Sequence, residues 1–245
     1  MRNIKLTIEY EGINYSGWQA QDNALGIQEV VEKAIANLTG ERVNLIASGR
    51  TDAKVHAKGQ VANFLTNSSI PAERFKYALN TKLPEDIKVL ESQEVDLDFH
   101  ARFDAIKKRY RYVIYNGEMP RPLYRNFSYH VDQPLDISKM EEAAKHLIGR
   151  KDFRSFMGPR TDVFTTIREI YSVDISKKDD LIEITIEGNS FLRNMVRIIV
   201  GTLVYVGLGK IKSQDIPKII DGRDRTLAGP TAPPQGLFLE KVYYD

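Results

Sequence analysis

The chain opens on a strict alternation. Ile4-Lys5-Leu6-Thr7-Ile8-Glu9-Tyr10 puts apolar side chains on one face and polar ones on the other, the period of a half-buried strand. Residues 11–18 break that pattern with two glycines and carry the only tryptophan, Trp18. Between 26 and 38, Ile27, Val30, Val31, Ala34, Ile35 and Leu38 share one helical face, and Gly40 stands where a helix end favours glycine. An apolar run at 43–46, a charged loop over 47–57 and a second run at 61–66 predict strand, loop and strand. Pro71 opens a second helix reaching about residue 81, and 87–95 is a further strand. The resulting order, β-α-β-β-α-β, is that of the split βαβ, ferredoxin-like unit.

The second half begins with a strand at 109–115, followed by a basic, proline-containing loop at 119–125 and a short strand near 127–130. Asp136 caps a helix whose apolar face is Met140, Ala143, Ala144, Leu147 and Ile148. An irregular stretch, 152–166, leads to strands at 167–176 and 181–188, joined as a hairpin by the Lys177-Lys178-Asp179-Asp180 turn. Residues 191–206 predict a long, almost wholly apolar helix. A shorter helix starts at Ser213, and 237–243 is the last strand. The expectation is an α+β protein of two ferredoxin-like-related halves, 1–105 and 106–245, with mainly antiparallel sheets. With no flexible linker between them, they are expected to form one continuous body around a central cleft, a common place for ligands.

At 245 residues, 42% hydrophobic and 28% charged, the composition is that of an ordinary globular protein. The absence of cysteine excludes disulfides, thiolate catalysis and cysteine-ligated zinc. The N-terminus enters its first strand with no signal-peptide core, and no window approaches the length of a membrane span. A cytoplasmic protein that makes no use of membranes is expected. The net charge of +2 hides an uneven distribution: residues 101–125 hold seven cations, Arg102, Lys107, Lys108, Arg109, Arg111, Arg121 and Arg125, against Asp104 and Glu118. Tyrosines 110, 112, 115 and 124 lie among them, a combination that fits either a nucleic-acid face or a solvated strand guarded by lysines.

Candidate chemistry gathers at three places. The loop Ala47-Ser48-Gly49-Arg50-Thr51-Asp52-Ala53-Lys54-Val55-His56-Ala57 crowds a carboxylate, two cations and an imidazole between two strands. Its Gly49 admits a close backbone approach, and its Arg50 suits phosphate or base recognition. In the helix at 191–206, Arg193 and Arg197 are four apart and predict two arginines on one buried face. A buried guanidinium needs an anionic partner, either a core carboxylate or a catalytic one, for which Asp52 is the candidate. On the strand at 109–115, Tyr110 and Tyr112 share one face and Arg109 and Arg111 the other. Such tyrosines either stack bases or fill the core, and the core is the better assignment for Tyr112. Four scattered histidines, His56, His100, His130 and His146, offer no ligand spacing, and neither phosphate-loop pattern occurs. Metal and nucleotide-cofactor chemistry are therefore not expected.

Five motifs in order resemble the tRNA pseudouridine synthase A family: Tyr15-Ser16-Gly17-Trp18-Gln19, Gly49 to Ala57, Lys108-Arg109-Tyr110, Phe191-Leu192-x-x-Met195-Val196-Arg197, and Thr231-Ala232-Pro233-Pro234-x-Gly236-Leu237. Lys54 departs from the pattern, which has glycine there. The resemblance implies the pseudouridine synthase fold and isomerisation of uridine to pseudouridine at positions 38, 39 and 40 of the tRNA anticodon arm, with no cofactor or metal. It further implies a homodimer with tRNA spanning both subunits. By the same resemblance Asp52 is the nucleophile or base, Arg197 its ion-pair partner, and Tyr110 the ring that stacks on the uracil and helps remove its C5 proton. Arg50 fills the gap left by the flipped uridine, while Lys54, Lys108, Arg109 and Arg193 bind the tRNA. His56 is then structural. Two other classes compete: a non-catalytic RNA-binding protein or chaperone, which needs none of Asp52, Tyr110 and Arg197, and a nucleoside hydrolase, which needs a partner acid that the aspartate motif lacks.

Overall fold

A computed structural model describes residues 1–21, 24–159 and 163–245. Its elements run β1 (Arg2–Tyr10), α1 (Ile27–Thr39), β2 (Ile46–Ala47), β3 (His56–Thr66), α2 (Phe75–Asn80), β4 (Ile87–Val95), β5 (Lys107–Tyr115), β6 (Tyr129–His130), α3 (Ile137–Lys145), β7 (Gly149–Asp152), β8 (Ile167–Lys178), β9 (Leu181–Gly188), α4 (Met195–Gly207), α5 (Ile216–Gly222) and β10 (Leu237–Tyr243). They group into two compact units, one of residues 1–106 with 238–245 and the other of 107–237.

In the first unit the alternation of β1 does what its period requires: Ile4, Leu6 and Ile8 are wholly buried. β1 pairs antiparallel with β3 and β4, and β2 pairs antiparallel with β3, so the order is β4-β1-β3-β2. That is the ferredoxin-like arrangement. The buried face of α1, Ile27, Val31, Ala34 and Ile35, and Phe75 and Leu79 of α2 complete the core, with Phe75 edge-on to Phe64 of β3 at 5.7 Å. Gly40 ends α1 in the left-handed conformation, φ 75°, and its N–H returns to the Ala36 carbonyl.

Two strand assignments change. The apolar run at 43–46 yields a β2 of only two residues, facing Asn63 and Ala62, while β3 begins at His56 rather than 61. The short β2 leaves the start of β3 open on that edge. There β10 pairs in parallel, Phe238 opposite His56 and Leu239 opposite Ala57. The last strand, expected among the elements of the second half, thus belongs to the first unit's sheet.

The second unit is also mixed and mainly antiparallel: β5 pairs β9, β9 pairs β8 and β8 pairs β7, while the two-residue β6 runs parallel to β5. β7 was not among the expected strands, and only its last residue, Asp152, falls in the expected irregular stretch. Its sequence, Gly-Arg-Lys-Asp, carries no strand pattern, and it exists because β8 offers an edge. Residues 160–162 of the expected irregular stretch lie outside the described residues. Asp136 caps α3 as expected, its carboxylate accepting from Lys139 N at 3.1 Å. α4 buries Ile198, Ile199, Val200 and Leu203 completely and packs against α3.

Candidate functional site

The charged loop before β3 is held by polar side chains beneath it. Ser48 and Gln60, both wholly buried, bond through Ser48 Oγ to Gln60 Oε1 at 2.7 Å, and Gln60 Nε2 donates to the Gly49 carbonyl at 2.9 Å. Tyr10 Oη and Thr51 Oγ1 share a hydrogen at 2.7 Å, and burial raises the Tyr10 phenol well above its ordinary value. The loop at 11–18 closes over the other side. Trp18 N donates to Thr51 O at 3.1 Å and Lys54 N to Tyr15 O at 3.2 Å. Gly17 makes that approach possible: it sits at φ 101°, and a Cβ on it would lie 2.6 Å from Thr51 O. Trp18 itself is buried.

On this base Asp52 is half-buried, between exposed Arg50 and exposed Lys54. The three side chains sit on a backbone tied down at Gly49, Thr51, Asp52 and Lys54, for Val55 N also donates to Asp52 O at 3.2 Å. A backbone fixed in advance is what a catalytic carboxylate at this position would need, since disorder would cost orientation. His56 lies at the root of the loop, buried. Its Nδ1 accepts from Gly12 N at 3.1 Å and its ring stacks on Phe238 at 4.8 Å, a structural position.

Lys54 takes φ 65°, the left-handed conformation in which any residue but glycine is strained. Lys54→Gly is therefore expected to raise the unfolding free energy by up to about 1 kcal/mol, the relief of strain exceeding glycine's entropy cost. A urea midpoint that stays put or falls would show that lysine sits here without strain.

The second unit carries the tyrosine strand and the arginine. Tyr110 is half-buried and meets Phe191 edge-on at 5.0 Å. Tyr112, two residues on, is wholly buried and donates from Oη to Pro233 O at 2.7 Å, as a core tyrosine must. On the other face the basic block has partners that a count along residues 101–125 does not include. Glu187 of β9 holds Lys107 Nζ at 2.8 Å and Arg109 Nε at 2.6 Å, and Glu183 holds Arg111 at 2.6 Å. Part of the expected cationic face is thus neutralised across the strand pair; Arg109 is one of the paired residues, while Lys108, half-buried, points to the alternate face.

The arginine pair is corrected. α4 starts at Met195, not 191, because Asn194 sits at φ 60° and a left-handed residue cannot belong to a right-handed helix. Arg193 falls in the preceding turn, exposed, with its Nη1 donating to Pro159 O at 3.4 Å. Arg197 stands in the first turn of α4 and is half-buried rather than enclosed. Its Nε donates to Ala232 O at 2.8 Å, and Ala232 N returns to Arg197 O at 3.0 Å. Its charge also works against the burial that raises the Tyr112 phenol. The tail at 231–237 thus fixes Arg197 through the Ala232 carbonyl and Tyr112 through that of Pro233. Gly201 lets the tail come so near, since a Cβ there would collide with Pro230 O.

Asp52 and Arg197 lie within the two stretches, residues 6–104 and 143–245, matched by the family model described as tRNA pseudouridine synthase. The chain belongs to the tRNA pseudouridine synthase family. Family members of known name align end to end. The protein named tRNA pseudouridine synthase A of Acetivibrio thermocellus is 54% identical over 244 residues, covering 100% of both chains. That of Thermoanaerobacter sp. strain X514 is 53% identical, again over 100% of both. These two full-length alignments also take in Tyr110, which the family's two matched stretches leave out. The solved archaeal box H/ACA sRNP Nop10-Cbf5 complex superposes at a TM-score of 0.38 with 13% identity, over 83% of this chain and 43% of that one, too loose a likeness to add weight.

Proposed function

We propose that this chain isomerises uridine to pseudouridine at positions 38, 39 and 40 in the anticodon arm of tRNA. The observation that carries the reading is the braced loop that presents Asp52 half-buried between Arg50 and Lys54, in a chain of the tRNA pseudouridine synthase family.

The reaction breaks the C1′–N1 bond of uridine, turns the uracil and joins C1′ to C5, with the C5 proton ending on N1. Nothing is oxidised and no group leaves, so no co-reactant is needed. Asp52 acts first, either attacking C1′ as a carboxylate nucleophile or taking a ribose proton to give a glycal. Arg197, aimed by its tether to Ala232, pairs with Asp52 and orients its carboxylate. Tyr110, propped by Phe191, stacks on the uracil and assists loss of the C5 proton. The target uridine flips out of the stack to be reached, and Arg50 fills its place. The enzyme works in the cytoplasm as a homodimer, with tRNA spanning both subunits.

Lys54, Lys108, Arg109 and Arg193 meet phosphates and do not read sequence. The logarithm of tRNA affinity then falls linearly with the logarithm of salt concentration, and Lys54→Gly flattens that slope by about 1. An unchanged slope removes Lys54 from the contact. The reading as a whole is tested by incubating the protein with unmodified tRNA and mapping pseudouridine chemically. Pseudouridine at 38–40 is expected. Binding without modification would leave a chaperone, and release of free uracil would indicate a hydrolase.

A further inference from the structure

Residues 99–104 present an aromatic ring in a way that the reaction does not account for. Phe103 leaves 73% of its surface exposed. The ring is nevertheless held in place: the His100 imidazole lies 4.2 Å from it at an interplanar angle of 32°, and the Arg102 guanidinium carbon is 5.7 Å from its centroid. His100 also accepts at Nδ1 from the backbone N–H of Arg102 at 3.1 Å and of Phe103 at 3.3 Å, and the His100 backbone N–H donates to Asp104 Oδ2 at 2.8 Å.

One layer down the turn is anchored by buried polar groups. Asn63, 3% exposed, accepts from Ala101 N at 2.9 Å, and Asn63 and Asn3 both donate to Phe99 O, at 3.2 and 3.0 Å. Tyr244 Oη donates to Ala101 O at 2.6 Å. Buried amides are costly unless fully bonded, and these are bonded to the backbone of a turn whose most prominent side chain faces water. A phenylalanine kept in solvent by so rigid a base is displayed for contact. Its neighbours select the contact: an exposed apolar ring with a guanidinium 5.7 Å from its centroid suits a π-system carrying a nearby negative charge, which describes an unpaired nucleotide.

We propose that His100, Arg102 and Phe103 form a stacking platform for an unpaired base of the RNA substrate, with Arg102 meeting the adjoining phosphate. The proposal rests on the tRNA reading above and adds to it a binding site remote in sequence from Asp52. Base–aromatic stacking sets the scale, so Phe103→Ala is expected to weaken binding of unmodified tRNA by roughly 5- to 100-fold, while Phe103→Trp keeps wild-type affinity. Buried Trp18 contributes its own emission, so the wild-type titration sets the baseline, and the added indole of Phe103→Trp should be quenched beyond it as tRNA is added. Arg102→Gln should weaken binding and reduce its salt dependence. The measurement is a titration of each intact variant with the same tRNA, beside pseudouridine mapping with the wild-type protein. If wild type forms pseudouridine but Phe103→Ala binds tRNA equally tightly, the platform is overturned and the enzymatic reading stands. If wild type neither binds nor modifies tRNA, both fall. Thermal melting of Phe103→Ala within a few degrees of wild type assigns any lost affinity to the missing ring, and a collapsed melt with Phe103→Trp also failing to bind or quench overturns the platform.

Discussion

Replacing Asp52 with asparagine is expected to abolish pseudouridine formation, by on the order of 10⁴-fold or more in single-turnover rate, while tRNA affinity stays within a few-fold of wild type. The substitution keeps the side chain's size and removes only its charge and its competence as nucleophile or base. The surroundings make the experiment clean. The loop backbone is held by Gln60 at the Gly49 carbonyl, by Trp18 at the Thr51 carbonyl and by Tyr15 at the Lys54 N–H, bonds that all end on backbone atoms of the loop. The variant should therefore fold as wild type does, with the same melting temperature within a few degrees. Turnover within tenfold of wild type would take Asp52 out of the chemistry. Loss of tRNA binding in step with activity would make its role one of recognition.

The chain's periodicity revealed most of the first unit: the alternation of β1, the stripe of α1 and the glycine after it all lie where a period-2 and a period-3.6 pattern put them. What stayed hidden depended on partners distant in sequence. β10 joins β3 because a two-residue β2 leaves an edge free, and no local pattern states how far a neighbouring strand will reach. The cationic run at 101–125 looked like open positive surface because its counter-charges, Glu183 and Glu187, arrive on a strand some seventy residues later. Arg193 and Arg197 looked paired on a helix because the apolar pattern continues through 191–194; only the left-handed Asn194 separates them.

The site divides in the same way. Asp52, Arg50, Lys54, Tyr110 and Arg197 could be named as candidates from their motifs, being side chains with chemistry of their own. Their supports could not. Gln60, Ser48 and Thr51 are ordinary polar residues until the fold places them under the loop. The tail motif at 231–237 works through two backbone carbonyls, of Ala232 and Pro233, which no reading of side chains can identify. Lys54 lies between the two: its departure from a glycine pattern was visible in the chain, and its φ of 65° shows what the departure costs.

Arg197→Lys, which keeps the positive charge, is expected to lower kcat by about 10²-fold, and Arg197→Ala by about 10²- to 10³-fold, with little change in tRNA affinity. The geometry makes lysine a poor replacement. Arg197 uses Nε to hold Ala232 O at 2.8 Å, with Nη1 near Asn194 Oδ1 at 3.4 Å, so its planar fork is oriented before any carboxylate meets it. A lysine has one ammonium, which cannot both keep the tail carbonyl and lie against a carboxylate in a fixed plane. A purely structural arginine predicts another pattern. Loss of the Ala232 bond would then lower the unfolding free energy by about 1–3 kcal/mol while the folded fraction turned over normally. Measuring kcat, tRNA affinity and the urea midpoint for both variants separates the two. A lysine variant with wild-type kcat would show that charge alone suffices, and an alanine variant with wild-type kcat would remove Arg197 from the reaction.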